Sequence, residues 1–242
     1  MHFVIFTDLD GTLLDESYSF SAAGKALDLV KKTKTPLVIC TSKNRPEILY
    51  YRKMLGIKDP FISENGAAIF IPRKYFSFGV EHTRIRNGFL CIELGRSVKE
   101  LGKGLEEVRK RMKIRSFLEM SSSELSRDSG LPAAQARLAL KREYDIPFRI
   151  LSGKESEVRR MIESAGFSYT RGGRYSHITG KNDKGRAVRF LSGLYKKEMG
   201  KIITIGLGDS PNDYPMLRAV DRGFLLRKGP EEWNRVITRL LE

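Results

Sequence analysis

Long apolar runs are missing from this 242-residue chain: no uninterrupted stretch approaches the roughly 18 to 20 residues needed to cross a bilayer. The apolar start MHFVIF runs into Asp8 and Asp10 where a leader would carry a small-residue cleavage site, so a cytoplasmic location is expected, with no membrane partner. Cysteine is scarce. Cys40 and Cys91 each sit inside an apolar, strand-like stretch (LVICTS and FLCIEL), the setting of a small buried hydrophobe, which excludes a disulfide framework and a thiolate metal site. Glutamine is reduced to Gln135 against heavy use of Lys, Arg and Glu, a composition suggestive of heat-adapted proteins. No internal repeat or low-complexity tract is present.

Positive charge is what the chain has in excess, with a formal net charge of +15. It is not concentrated: residues 81–180 carry 20 Lys/Arg against 13 Asp/Glu, net +7, leaving 24 against 16, net +8, for the rest. Interleaved stretches such as KGLEEVRKRMK read as solvated, ion-paired helix faces, not as a nucleic-acid stripe. The excess suits attraction of small anionic substrates, so no nucleic-acid partner is expected. The sequence leaves open monomer or homodimer.

Over the first eighty residues short apolar runs rich in β-branched residues alternate with helical patterns, the signature of a parallel α/β sheet. FVIFTD, PLVICTS and FISEN read as strands, SAAGKALDLVKKTK as a helix with Ser21 at its N-cap, and RPEILYYRKML as a helix with Pro46 in its first turn. The rhythm then changes. A hairpin-like strand FLCIELG, a charged helix from about Val98 to Lys113, a helix around PAAQARLALKREY, a strand FRILS, a helix ESEVRRMIESAG and a strand pair around FSYTRGGRYSHITG follow, before GRAVRFLSGLYKKEM and KIITIGLGDS resume the α/β pattern. The expected fold is a doubly wound, Rossmann-like parallel-sheet core of residues 1–80 and 181–242, interrupted by an α+β cap at 81–180.

Three apolar strands end in complementary polar residues: VIF in Thr7-Asp8-Leu9-Asp10-Gly11-Thr12, LVIC in Thr41-Ser42-Lys43, and IITIGLG in Asp209-Ser210-Pro211-Asn212-Asp213. Ligands of open parallel sheets bind beyond the carboxyl ends of the strands, so these segments should converge. Two aspartates at i, i+2 met by a third from another strand make an oxygen-rich nest for a hard cation such as Mg²⁺. A threonine and a lysine beside it can hold phosphate oxygens. That set matches phosphate-monoester hydrolysis, in which Asp8 is the nucleophile, Asp10 the general acid and base, Asp209 a metal ligand and Thr41 a donor to the transferring phosphoryl group. DLDG also matches the opening of a calcium loop, but a strand precedes it and no closing glutamate follows.

The segments DLDGTLL, CTSK, NDKG and GDSPND, in this order, resemble the four motifs of the haloacid-dehalogenase-like phosphatases. The resemblance identifies Lys184 as the motif lysine. It implies Mg²⁺ held by Asp8, the Asp10 carbonyl and Asp209, with Asp213 as nearby acidic support and Asn212 as a polar group of the same loop. The insertion following Glu64-Asn65-Gly66-Ala67 looks like the α/β cap of the sugar-phosphatase branch. Within that branch TSK, ENGAAIF, IELG and GDSPND most resemble the mannosyl-3-phosphoglycerate phosphatases, which implies 2-O-mannosyl-3-phosphoglycerate as substrate, with another sugar phosphate, including the glucosyl analogue, as the alternative. A phosphomutase using the same chemistry is a further reading. The segment Arg142 to Phe148 resembles that family's arginine-containing run before Pro-Phe, but has Ile146 where the family has an acidic residue. Specificity should reside in the cap. Arg142, Arg171 and Arg174 suit anionic substrate groups, and His177, with Ser42 and Lys43 of the core, completes the set of candidates.

Overall fold

The computed structural model describes residues 2–172 and 174–242. Twelve strands form two sheets among them. In chain order they are β1 (His2–Thr7), β2 (Leu37–Cys40), β3 (Phe61–Ser63), β4 (Ala68–Pro72), β5 (Arg84–Arg86), β6 (Phe89–Glu93), β7 (Lys113–Ser116), β8 (Asp145–Ser152), β9 (Ser168–Gly172), β10 (Tyr175–Thr179), β11 (Ile202–Gly208) and β12 (Arg222–Leu225). The larger sheet runs β12-β11-β1-β2-β3-β4-β6-β5, parallel from β12 to β3 and antiparallel beyond. The smaller, β7-β8-β10-β9, is antiparallel throughout.

The near-continuous apolar strands of the large sheet are explained by burial on both faces. Ile5, Leu37, Ile39, Phe61 and Phe70 pack against α1 (Gly24–Thr33), α2 (Arg45–Leu55) and the C-terminal helix Gly229–Leu241 through Leu27, Val30, Ile48, Tyr51, Trp233 and Ile237. Their strand neighbours Val4, Phe6, Val38, Cys40, Ile62 and Ile69 point the other way, onto Ala187, Val188, Leu191 and Tyr195 of the helix Lys184–Met199. This is the doubly wound α/β core that the sequence pattern predicts. Helix α2 starts where expected, with Pro46 in its first turn. Asn44 accepts the Glu47 N–H while Glu47 accepts the Asn44 N–H, a reciprocal cap.

In the smaller unit, α3 (Val98–Arg109) and the helix Glu155–Ser164 cover one face of the four-stranded sheet, burying Leu101, Leu105, Val158 and Ile162 on Ile114, Ile146, Phe148 and Ile178. The opposite face, carrying Tyr175 and His177, turns toward the carboxyl ends of the large sheet.

Four local expectations are corrected. The FLCIELG strand is not part of the smaller sheet: Phe89–Glu93 pairs with β4 and extends the large one, its alternation sending Cys91 into one core layer and Ile92 into the other. Ser21 caps no helix. It opens a single tight turn, and the donor need at the start of α1 is met from a distance, by the Asn234 side chain accepting the Ala26 N–H at 2.9 Å. The charged helix stops at Arg109, and Lys113–Ser116 forms β7, a strand whose single buried apolar residue, Ile114, is too weak a pattern to read. The helix expected around PAAQARLALKREY ends early, at Ala139, and is preceded by another over Ser122–Ser129.

Candidate active site

Strand β1 delivers Asp8 to the carboxyl edge of the sheet. The Asp8 N–H continues the pairing with β11 by donating to the Leu207 carbonyl at 2.9 Å, and the buried Trp233 indole donates to the Thr7 hydroxyl at 3.0 Å, fixing the end of the strand. The chain then folds back in a tight turn in which the Leu9 carbonyl accepts from Thr12, Leu13 and Leu14. Gly11 makes that turn at φ +71°, and a Cβ there would stand 2.6 Å from Asp209 Oδ2, so both conformation and contact require glycine. The close approach lets the Thr12 hydroxyl donate to Asp209 Oδ1 at 2.7 Å, linking the Asp8 loop to the loop after β11.

Behind Asp8 lies Lys184, completely buried, with its ammonium 3.1 Å from Asp8 Oδ1 and 2.6 Å from Asp213 Oδ1. Burial opposes the lysine's charge, but Asp213 and Asp8 outweigh it and hold its pKa above the ordinary value. Asp213 Oδ2 accepts the N–H groups of Asp209 and Ser210, both at 3.0 Å, so this carboxylate organises the whole loop.

Carboxylate oxygens of Asp8, Asp209 and Asp213 approach within 4.8 Å of one another, a group able to hold a metal ion. Burial, only partly offset by Lys184 and reinforced by Asp213, Asp10 and Asp209, pushes the Asp8 carboxyl up to about 7. Burial raises Asp209 as well. Among the described residues, Asp10 Oδ1 is buried without a hydrogen-bond partner, and Asp8 Oδ1 has the Lys184 ammonium at 3.1 Å as its contact. Crowded carboxylates with one lysine between them and oxygen lone pairs unused fit a hard divalent cation.

In front of Asp8 opens a cleft of about 610 Å³, of the size that takes a small organic ligand. Asp8, Asp10, Ser42, Lys43, Asp209 and Asn212 line it from the large sheet, and Arg142, Arg174 and His177 from the inserted segment. Lys43 is buried beside Asp10, Nζ to Oδ2 2.8 Å, with Glu47 at 3.8 Å. Thr41 is buried at the end of β2, its hydroxyl accepting the Lys43 N–H at 3.3 Å. Arg142 donates to the carbonyls of Ser42 at 2.6 Å and Ala139 at 3.0 Å, bridging the two units, while Arg174 donates to the Ser129 carbonyl at 2.7 Å. Arg171 is not brought to this cleft. It stands opposite Ser176 in the β9–β10 register, one place off from His177, and so points to the other side of the small sheet, where it pairs with Glu155 beside a separate cavity.

Three buried polar residues were given no site role by sequence: Glu64, Asn65 and Asp145. Glu64 and Asn65 stood out only as part of the ENGA segment, and Asp145 only as one polar residue of the Arg142 to Phe148 run. Asn65 and Asp145 hydrogen-bond each other at 2.8 Å. Glu64 Oε1 accepts the N–H groups of Glu143 and Tyr144, at 2.9 and 3.1 Å, tying β3 to the start of β8. Burial pushes the Glu64 carboxyl up to about 8, against the lowering effect of Arg142. A carboxyl whose folded pKa exceeds its unfolded value contributes stability at low pH that is lost as pH rises through the folded pKa. Wild-type stability should therefore fall between pH 4.5 and about 8 with a contribution of up to roughly 1.4 kcal/mol per pH unit from Glu64. Glu64→Gln keeps the Oε1 acceptor and should flatten that part of the slope in denaturant titrations from pH 5 to 9. An unchanged slope would show that Glu64 is already ionised throughout.

The sequence profile of the haloacid dehalogenase-like hydrolases matches residues 5–83 and 151–239. A glucosyl-3-phosphoglycerate/mannosyl-3-phosphoglycerate phosphatase of Methanococcoides burtonii is 42% identical, over all of this chain and 98% of its own. A mannosyl-3-phosphoglycerate phosphatase of Pyrococcus horikoshii is 34% identical, over 92% of this chain and 90% of its own. Among solved structures, a Thermoplasma acidophilum protein superposes over the full length of both chains with a TM-score of 0.69 at 23% identity, a likeness of fold.

Proposed function

We infer the chemistry from one premise: the chain belongs to the haloacid dehalogenase-like hydrolases. We propose that it is a phosphatase of 2-O-mannosyl-3-phosphoglycerate, with the glucosyl analogue as a second substrate. The observation that carries the chemistry is Asp8, a carboxylate at a strand end that opens on the cleft in front and is backed by Lys184 at 3.1 Å. The relatives of 34 to 43% identity support the substrate.

In the first step an Asp8 oxygen attacks phosphorus, the bond from phosphorus to the substrate's ester oxygen breaks, and protonated Asp10 gives its proton to that oxygen. In the second, Asp10 takes a proton from water as the water oxygen attacks the aspartyl phosphate, releasing inorganic phosphate and regenerating Asp8. Asp10 suits both steps because its side chain is 46% exposed, opening on the cleft, and Lys43 holds it in place. Lys184 offsets the charge that gathers between Asp8 and Asp213, and Thr41 and Lys43 hold phosphoryl oxygens. Asp8, Asp209 and the Asp10 carbonyl would hold Mg²⁺, with Asp213 behind them. When bound, the ion neutralises phosphate charge and lowers the Asp8 pKa so that the nucleophile is ionised.

The four-stranded unit is the specificity cap, and the core runs from residue 1 through β6 and resumes at 181–242, the boundary expected at 80 moving to after β6 because that strand pairs in the large sheet. Arg142, Arg174, His177, Ser42 and Asn212 then face the organic part of the substrate. Net positive charge favours that anion, and no helix among the described residues is long and apolar enough to cross a membrane.

The test is phosphate release with Mg²⁺ from mannosyl-3-phosphoglycerate, its glucosyl analogue, common hexose phosphates and 3-phosphoglycerate. The glycosyl phosphoglycerates should lead in kcat/KM over hexose phosphates by about 10²-fold or more, the discrimination available to a site that pairs substrate polar groups. Equal rates across hexose phosphates would remove the substrate assignment and keep the chemistry. Release from none of them would overturn both.

A further inference from the structure

A hydrogen-bonded chain of side chains crosses from the loop after β11 into the cap. Ser210 Oγ donates to Asn212 Oδ1, Asn212 Nδ2 donates to Asn65 Oδ1 at 3.0 Å, and Asn65 Nδ2 donates to Asp145 Oδ2 at 2.8 Å. Asp145, with no exposed surface, then meets His177 Nδ1 at 2.8 and 3.0 Å through its two oxygens.

The direction of this chain is fixed by its far end. A carboxylate only accepts, so Asn65 must present its amide NH₂ to Asp145 and its carbonyl to Asn212, which forces the orientation of both amides. The same acceptor requires a proton on His177 Nδ1. In the neutral ring that leaves Nε2 as a bare lone pair. His177 lines the cleft, and its Nε2 lies against Gly172, where an added Cβ would be 3.6 Å from it and 3.7 Å from Asn212 Nδ2. Asn65 makes its two contacts from an unusual backbone, φ 58°, ψ 38°, a left-handed conformation that asparagine tolerates better than other side chains with a Cβ.

We propose that Asp145 is a positioning residue: by holding the proton on Nδ1 it makes His177 Nε2 an acceptor for a hydroxyl of the polyol part of the substrate, and Asn65 registers this pair against the loop carrying Asp209. The proposal rests on the phosphatase reading for its substrate but not for its tautomer. Asp145→Asn reverses the polarity. One amide oxygen must still serve Asn65, the amide NH₂ then faces Nδ1, and the imidazole proton moves to Nε2, which becomes a donor. An aspartate-to-asparagine change that leaves geometry intact but selects the wrong tautomer is a known way to disable a histidine.

The chain has three histidines, so ¹⁵N-detected ring spectra of the whole protein are assignable with His177→Gln as the blank. At neutral pH the wild type should show the Nδ1–H tautomer at His177, and Asp145→Asn the Nε2–H tautomer. In kinetics, Asp145→Asn and His177→Ala should each lower kcat/KM for the glycosyl phosphoglycerate by about 10- to 100-fold, chiefly through KM, and by less for p-nitrophenyl phosphate, which has no polyol. The double variant should be no worse than His177→Ala alone, because Asp145 acts through the ring. An Nε2–H or doubly protonated ring in the wild type overturns the proposal, as do additive losses. If the wild type released no phosphate, the function would fall while the spectra still decided the tautomer.

Discussion

Asp8→Asn should lower kcat by about 10⁴-fold or more and leave the protein folded, because an amide is no nucleophile at phosphorus and loss of a covalent nucleophile is a loss of that order. Its effect on stability is the more telling control. Burial and neighbouring carboxylates push the Asp8 carboxyl up to about 7 in the absence of metal. A folded-state pKa above the unfolded value means that ionising Asp8 costs stability as pH rises from about 4 through 7, and asparagine carries no such cost. In chelator at pH 8 the variant should therefore melt at the same temperature as the wild type or higher. Mg²⁺ should raise the wild-type Tm and raise that of the variant less, since a ligand stabilises only the form that binds it. Near-normal turnover in the variant would refute the mechanism, and a large drop in Tm would show that the lost activity reflects misfolding.

Removal of Lys184 should do the opposite to the fold. Its ammonium is fully buried and stands between two buried carboxylates, at 3.1 and 2.6 Å. Taking away one partner of a buried charge cluster leaves uncompensated charge and costs about 3 to 5 kcal/mol, far above the effect of a surface pair. Lys184→Met keeps most of the volume, so the loss is electrostatic. It should be largest at pH 8, shrink toward pH 5 as the orphaned carboxylates take up protons, and shrink again when Mg²⁺ supplies the missing positive charge. Denaturant unfolding at the two pH values, with and without chelator, reads all three. Equal stability of variant and wild type at pH 8 would mean that the carboxylates are already neutral and that Lys184 is not their counter-ion.

Much of this site was legible because its parts sit where the chain must announce them. Asp8, Thr41 and Asp209 end strands whose apolar runs are hard to misread, and the rule that parallel strands gather ligands at their carboxyl ends brings the three together. Lys184 needed its motif. Nothing in the spacing of a lysine at a helix start says that it will be buried to the last atom. The cap was harder, because its polar residues take their meaning from partners far along the chain. Arg142 and Arg174 reach the cleft, yet both anchor carbonyls, and Arg171, opposite Ser176 in the small sheet, faces elsewhere. Asn65 and Asp145 are eighty positions apart, so their pairing could not be seen before the fold was known. β7 was missed for a local reason, since one isoleucine between Lys113 and Arg115 does not make a recognisable period.

The bonds between the segment after β2 and the end of the helix Ala133–Ala139 bear on how the two units could be exchanged with those of relatives. Asn44 Nδ2 donates to the Leu138 and Ala139 carbonyls, at 2.8 and 3.2 Å, and Arg142 answers by donating to the Ser42 carbonyl. A stretch counted by sequence as part of the insertion is thereby fastened to the core independently of the four-stranded sheet. A chimaera cut at the visible boundaries alone would join a foreign 138–143 segment to a native 42–47 loop and break this seam. The transplantable unit is the insertion together with that loop.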